Sequence, residues 1–160
     1  MSAQEGSLQM RMAMEIIEKD NLIYLAGILD GEGWIGIVKT EIRRNEKSAR
    51  YYLIIAISNT SKELMDWLCS KVGGTYCLAK ENRKEWKDHY KWDLTGESAY
   101  KILQKVYPYL VVKREQAKMA MEFQLKRSIT KQRRNGIPEE ELLLREYYYQ
   151  LLKGLNKRGK

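Results

Sequence analysis

The sequence is poor in the side chains that usually build metal centres. It holds one histidine, His89, and two cysteines, Cys69 and Cys77, in 160 residues. A site of two or three histidines, or of four cysteines, is therefore excluded within one chain. The same lone imidazole leaves nothing resembling a Ser-His-Asp arrangement. The most apolar run, Leu22 to Leu29, is far shorter than the ~20 residues that cross a bilayer. The Met-rich start carries Arg11 and Glu15 and does not read as a signal peptide. Few cysteines without a secretory signal point to a reducing, intracellular compartment. Acidic residues are also in deficit: 21 Asp and Glu against 29 Lys and Arg give a net charge of +8. Such an excess implies an anionic partner, nucleic acid first and membrane surface second.

What remains is an ordinary globular composition, 44% hydrophobic and 31% charged, which argues against wholesale disorder. The length predicts one domain, 1–160, able to bury about 70% of its unfolded surface. Residues 1–19 read as an N-terminal arm that becomes helical, and 137–160 as a C-terminal helix with a basic tail.

Along the chain, Asp20 and Asn21 are N-cap types ahead of Leu22, Ile23, Leu25, Ala26, Ile28 and Leu29. Those residues cover most of a helix surface, so the helix is expected to be buried, against its own domain and a second chain. Gly31 and Gly33 end it. The β-branched and aromatic runs 34–38 and 51–57, joined by a charged turn, predict a hairpin. Thr60 or Ser61 can cap a helix through Leu68 and Val72, stopped by Gly73-Gly74. A second hairpin follows, with strands over 75–79 and 89–94; Tyr90, Trp92 and Leu94 alternate against His89, Lys91 and Asp93. Helices are predicted over 97–107 and 113–129, and Pro138 is well placed to open a last one. Leu144, Tyr148, Leu151 and Leu155 form its apolar stripe. The fold class is α+β: an antiparallel four-stranded sheet, helices on one face, and an extra C-terminal helix.

Two motifs overlap in the first helix and strand. Gly31-Glu32-Gly33-Trp34-Ile35-Gly36 matches the letter of the dinucleotide fingerprint, but a helix precedes it and a strand follows. That is the reverse of what a pyrophosphate needs, so no nucleotide cofactor is expected. The second motif is Leu25-Ala26-Gly27-Ile28-Leu29-Asp30-Gly31-Glu32-Gly33. Its two acids sit at the negative end of the helix dipole and need a compensating partner such as a metal cation. A solvated Glu32 on an ordinary C-cap is the plainer alternative.

LAGILDGEG resembles the signature of the LAGLIDADG homing endonucleases, single-motif type. The strand from Trp34 and the segment Tyr107 to Ala117 are similar to the family's as well, and the α-β-β-α-β-β-α order matches. The likeness covers about residues 20–130. It implies a homodimer whose central helices pack through Leu22, Leu25, Ala26, Gly27, Leu29 and Asp30. It implies Mg²⁺ held by Glu32 and the Gly31 carbonyl, with Mn²⁺ or Ca²⁺ able to substitute for binding. Lys113 would lie near the active site and stabilise developing charge, against the alternative of a phosphate-contacting or solvated lysine. Asn59 would position water, against the alternative of a cap for the helix after it. The activity implied is cleavage of both strands of a long pseudo-palindromic DNA site, leaving 3′ overhangs.

Double-stranded DNA would be read by the open sheet face, since a two-stranded ribbon fits the major groove. Candidates are Lys39, Glu41, Arg43, Arg44, Arg50 and Tyr52 from the first hairpin. The second hairpin offers Lys80, Asn82, Arg83, Lys87, His89, Lys91 and Asp93. Arg114 belongs to a stretch, 113–134, that holds eight Lys or Arg and two Glu and suits phosphates. For any one of these a solvated charge is the commoner role. A maturase or a non-cleaving DNA-binding protein of the same fold is the alternative function, and intact Glu32 and Lys113 count against it. A membrane-surface module accounts for the charge but not for the acids at a helix C-terminus.

Overall fold

The computed structural model describes residues 17–42, 48–80, 88–127 and 137–157. Its order is α1 (Lys19–Glu32), β1 (Gly33–Lys39), β2 (Tyr51–Asn59), α2 (Lys62–Lys71), β3 (Thr75–Ala79), β4 (His89–Thr95) and α3 (Gly96–Val106). A 3₁₀ turn (Tyr107–Tyr109), α4 (Arg114–Lys126) and α5 (Glu139–Leu155) follow. The four strands form one antiparallel sheet in the order β1-β2-β4-β3. The α+β class and the element order agree with the sequence expectation.

Alternation along the strands sets the two faces. Ile35, Ile37, Leu53, Ile55, Ile57, Trp92 and Leu94 point to the helices and are buried. They meet Leu25 and Leu29 of α1, Met65 and Leu68 of α2, Ile102, Leu103 and Val106 of α3, Phe123 of α4 and Leu152 of α5 in one core. Each such side chain contributes about 1.5–3 kcal/mol by leaving water. The opposite face carries Trp34, Gly36, Val38, Tyr52, Ile54, Ala56, Ser58, His89, Lys91, Asp93, Thr75 and Cys77, by the same alternation and register.

The buried Trp92 is held by its indole N–H, which donates to the Gly73 carbonyl at 2.8 Å. Gly74 makes that approach possible. Its φ is +85°, and a Cβ there would stand 2.8 Å from the indole nitrogen.

Several boundaries differ from the sequence reading. α1 starts two or three residues early, at Lys19, with Glu18 in extended backbone ahead of it, so Asp20 sits in the first turn instead of capping it. There it still favours the positive helix end. Ser61, not Thr60, caps α2, accepting from the Leu64 N–H at 3.2 Å. α4 stops at Lys126, where Arg127 turns extended. Pro138 is the N-cap of α5, one residue ahead of its first turn. On α5 Arg145, Tyr148 and Leu152 are buried and Leu144 and Leu151 pack partly against the core, while Leu155, expected in the same stripe, is exposed. Arg145 can lie there because Glu141, one turn earlier, accepts its guanidinium N–H.

Candidate active site and nucleic-acid interface

The end of α1 is where the sheet begins, and four side chains converge on that junction. Gly33 caps the helix with its N–H on the Ile28 and Leu29 carbonyls and turns directly into β1. The turn is tight: a Cβ on Gly33 would lie 2.7 Å from the Leu29 Cα and 2.8 Å from its carbonyl oxygen. This fixes Glu32, exposed, at the lip of the sheet.

Asn59, the last residue of β2, lies across from it. Its Nδ2 donates to the Glu32 carboxylate. Its Oδ1 accepts from the Ser61 N–H at 2.8 Å. One amide end thus holds the turn into α2, whose cap is Ser61, and the other orients the acid.

Asp30 does something different. Its carboxylate accepts from the backbone N–H groups of Val111 (2.8 Å) and Lys113 (2.9 Å), tying the segment ahead of α4 to the end of α1. Lys113 reaches back, donating from Nζ to the Leu29 carbonyl (2.6 Å) and the Asp30 carbonyl (2.9 Å). An ammonium on the last carbonyls of a helix is the favourable end for a cation. This capping role was not foreseen. Its signal, a lysine following the apolar run Tyr109-Leu110-Val111-Val112, does not reveal which helix it serves.

The donor set at this lip is all oxygen, a carboxylate on a helix C-terminus, which suits a hard divalent cation such as Mg²⁺. Among the described residues no group of three or more His, Cys, Asp and Glu side chains gathers to hold a metal.

The helix carrying these groups has one uncovered side. Leu22, Leu25, Ala26 and Leu29 pack into the chain's own core, so four of the six residues expected at a dimer contact are already buried. The open face carries Ile23, Tyr24, Gly27 and Gly31, with Asp30 half-buried. Gly27 and Gly31, one turn apart, have open space where a Cβ would stand.

The candidate DNA readers divide. Tyr52, His89, Lys91 and Asp93 lie on the open sheet face. Arg50 and Glu41 are exposed at the ends of β2 and β1, where the Thr40 N–H meets the Arg50 carbonyl at 2.9 Å. Lys80 is exposed just past β3, and the Arg114 guanidinium lies 5.1 Å from the centre of the Tyr107 ring. Arg43, Arg44, Asn82, Arg83 and Lys87 lie outside the described residues.

Lys39 is a correction. It shares the phase of Ile35 and Ile37, so it points to the helix side, where its Nζ pairs with Glu146 of α5 at 2.8 Å. The Tyr51 hydroxyl donates to the same carboxylate. Hydrogen bonds from Gln150, Lys39 and Tyr51 hold the Glu146 carboxyl down to about 2. The physical reason is the strand's phase, and this lysine fastens α5 to the edge of the sheet, off the open face.

Fold and site together define an α+β sheet protein with an acid at the junction of its first helix and strand. Solved structures of similar architecture are homing endonucleases. I-CvuI, in complex with the I-CreI target and Mg, superposes with a TM-score of 0.71 at 20% identity, covering 89% of this chain and 85% of that one. The archaeal intron-encoded I-Vdi141I, complexed with DNA, gives 0.68 at 16% identity, with 89% of each chain covered. I-SmaMI, a meganuclease, gives 0.62 at 20% identity; this chain spans 45% of its length. No family model and no curated protein matches the sequence. The chain has the fold of the LAGLIDADG homing endonucleases. No helix among the described residues is long and apolar enough to cross a membrane.

Proposed function

We propose that this protein is a site-specific, divalent-metal-dependent DNA endonuclease that works as a homodimer on double-stranded DNA. The observation that carries the reading is the junction of α1 and β1, where the Asn59 amide orients the exposed Glu32 carboxylate and Lys113 and Asp30 lock the helix end behind it. A bound Mg²⁺ would supply an activated water and neutralise charge on the phosphate. Glu32 and the Gly31 carbonyl would hold that ion. Asn59 keeps the acid pointed outward. Lys113 places a positive charge at the same helix end, where negative charge grows as the phosphodiester breaks.

The uncovered face of α1 supports the dimer. Small Gly27 and Gly31 let a second copy of α1 approach closely, and each copy brings one Glu32, enough for one cut per strand. The open sheet face, with Tyr52, His89, Lys91 and Asp93, would lie along the major groove, since donors, acceptors and an aromatic there can read base edges. The two free thiols, Cys69 and Cys77, support work in a reducing compartment.

The test is selection of duplexes from a randomised pool by the purified protein in Ca²⁺, followed by transfer of the selected duplexes to Mg²⁺. The expected result is cleavage of both strands with 5′-phosphate and 3′-hydroxyl ends and a 3′ overhang. Selection of duplexes that stay intact in Mg²⁺ and in Mn²⁺ would overturn the nuclease reading and leave a DNA-binding protein.

A further inference from the structure

A groove of about 460 Å³ runs along the free edge of β1, between that strand and the C-terminal half of α5. It begins at Trp34, two residues past Glu32, and is lined further by Gly36, Val38, Lys153, Asn156 and Lys157. Of the DNA-contact candidates read from the sequence, Lys39 lines it, and the Lys39–Glu146 pair holds that wall in place.

Three features give the groove a chemistry. The first is an aromatic shelf. The Trp34 indole lies across Gly36 so closely that a Cβ there would be 2.5 Å from the ring. The ring still leaves 40% of the residue exposed on the open face. Its strand partner is the small Ala56, so nothing bulky stands beside it in the ladder. The second is charge. Every charged side chain lining the groove is a lysine: Lys39, Lys153 and Lys157. Lys39 is matched by Glu146, and Lys153 and Lys157 are exposed on the outer wall. The third is a built floor. The Asn156 amide donates to the Ile35 carbonyl at 2.8 Å, so the end of α5 is bonded to the strand edge and the outer wall holds its place.

We infer that this groove seats one strand of the DNA duplex beside the cleavage site, with the Trp34 indole against a nucleotide and Lys153 and Lys157 on its phosphates. The inference rests on the proposed nuclease function and extends the DNA interface from the sheet face to the last helix. In a duplex the base faces are stacked on one another, so the indole would lie against the deoxyribose edge of a strand, whereas lysines grip phosphate as point charges. The arrangement therefore positions the strand and sets its path past Glu32 without itself reading sequence. A groove with basic walls and an apolar shelf matches a polyanion whose edge alternates phosphates with sugars, and a DNA strand is that polymer.

The experiment is fluorescence anisotropy with a fluorescein-labelled duplex of about 30 base pairs of mixed sequence, in Ca²⁺, across a salt series. The paired change Lys153→Gln with Lys157→Gln touches no core residue. It should flatten the plot of log K against log salt by about 1.8 per protomer, from about 0.9 for each phosphate contact. Trp34→Ala should weaken binding about tenfold without changing that slope, and Trp34→Phe should restore most of the loss. An unchanged slope for the lysine pair, with wild-type binding intact, overturns the groove and leaves the nuclease standing. Trp34→Ala binding as tightly as wild type does the same for the shelf. A wild-type protein that shows no affinity for the duplex at any salt removes both.

Discussion

Asp30→Asn separates a holding carboxylate from a reacting one. In the structure Asp30 accepts from two backbone N–H groups, Val111 at 2.8 Å and Lys113 at 2.9 Å, which span more than 80 positions of sequence. Hydrogen bonds to a charged acceptor contribute about 1.5–3 kcal/mol each when sheltered, and less when solvent competes. The Val111 bond is exposed and the Lys113 bond half-buried, so their joint worth is about 3 kcal/mol. Asparagine keeps one oxygen acceptor and loses the charge, which removes roughly half, about 1.5 kcal/mol. For a chain of this size that lowers Tm by about 3–6 °C. Asp30→Ala removes both bonds and should lower it by about 6–12 °C. Differential scanning calorimetry in the absence of metal reads both values. Because the same segment carries Lys113, whose ammonium sits on the carbonyls of Leu29 and Asp30, both variants should also cut DNA more slowly at temperatures where they remain folded. A Tm within 1 °C of wild type for Asp30→Ala would show that the clasp between α1 and the segment before α4 carries no stability, and the reasoning would fail.

Other expectations follow from single contacts. The Glu146 carboxyl is held at about 2 in the folded chain, below its ordinary 4.5, by bonds from Gln150, Lys39 and Tyr51. A depressed carboxyl stabilises above its unfolded value and loses that contribution as pH falls. Glu146→Gln should therefore be less stable than wild type at pH 7 by about 1 kcal/mol after solvent screening. The gap should close between pH 4.5 and 2, as read by urea melts at a series of pH values. Gly33→Ala puts a Cβ 2.7 Å from the Leu29 Cα and should cost about 1–3 kcal/mol, measured by thermal melting. Gly27→Glu works the other way on the single chain, where the site is open: it raises helix propensity by up to about 1 kcal/mol. It should nonetheless convert a dimer into a monomer, as seen by sedimentation velocity, because two glutamates would meet at the contact.

Much of the fold was legible because local signals agreed with one another. The strand over 89–95 is a clean alternation, and its apolar members, Tyr90, Trp92 and Leu94, are the ones turned to the helices. The Gly73-Gly74 stop also acted where it stands, and Pro138 opens α5 from one residue ahead of its first turn. β1 was harder. Trp34, Ile35, Ile37 and Val38 are apolar in both phases, so the pattern does not say which face is buried, and Lys39 was assigned to the wrong one. Its real partner, Glu146, is 107 positions away and no local signal reaches that far. Arg145 was hidden for a related reason: a buried guanidinium is tolerated only through Glu141, and a stripe of leucines on the same helix looked the better core.

The site was partly legible for a physical reason of its own. Acids at a helix C-terminus are unfavourable, and that misfit drew attention to Asp30 and Glu32. The structure resolves the misfit differently for the two. Asp30 is satisfied by backbone N–H groups and by the Lys113 charge on the adjoining carbonyls. Glu32 keeps an exposed carboxylate with one amide partner, Asn59. That difference separates a structural acid from a candidate ligand.

The most direct measurement is therefore on Glu32. Glu32→Gln keeps the size and the hydrogen-bonding shape of the side chain and removes its charge. On duplexes selected by the wild-type protein, it should bind in Ca²⁺ within about threefold of wild type and cut in Mg²⁺ at least about a hundredfold more slowly. Cleavage by Glu32→Gln at the wild-type rate would contradict the account at its centre.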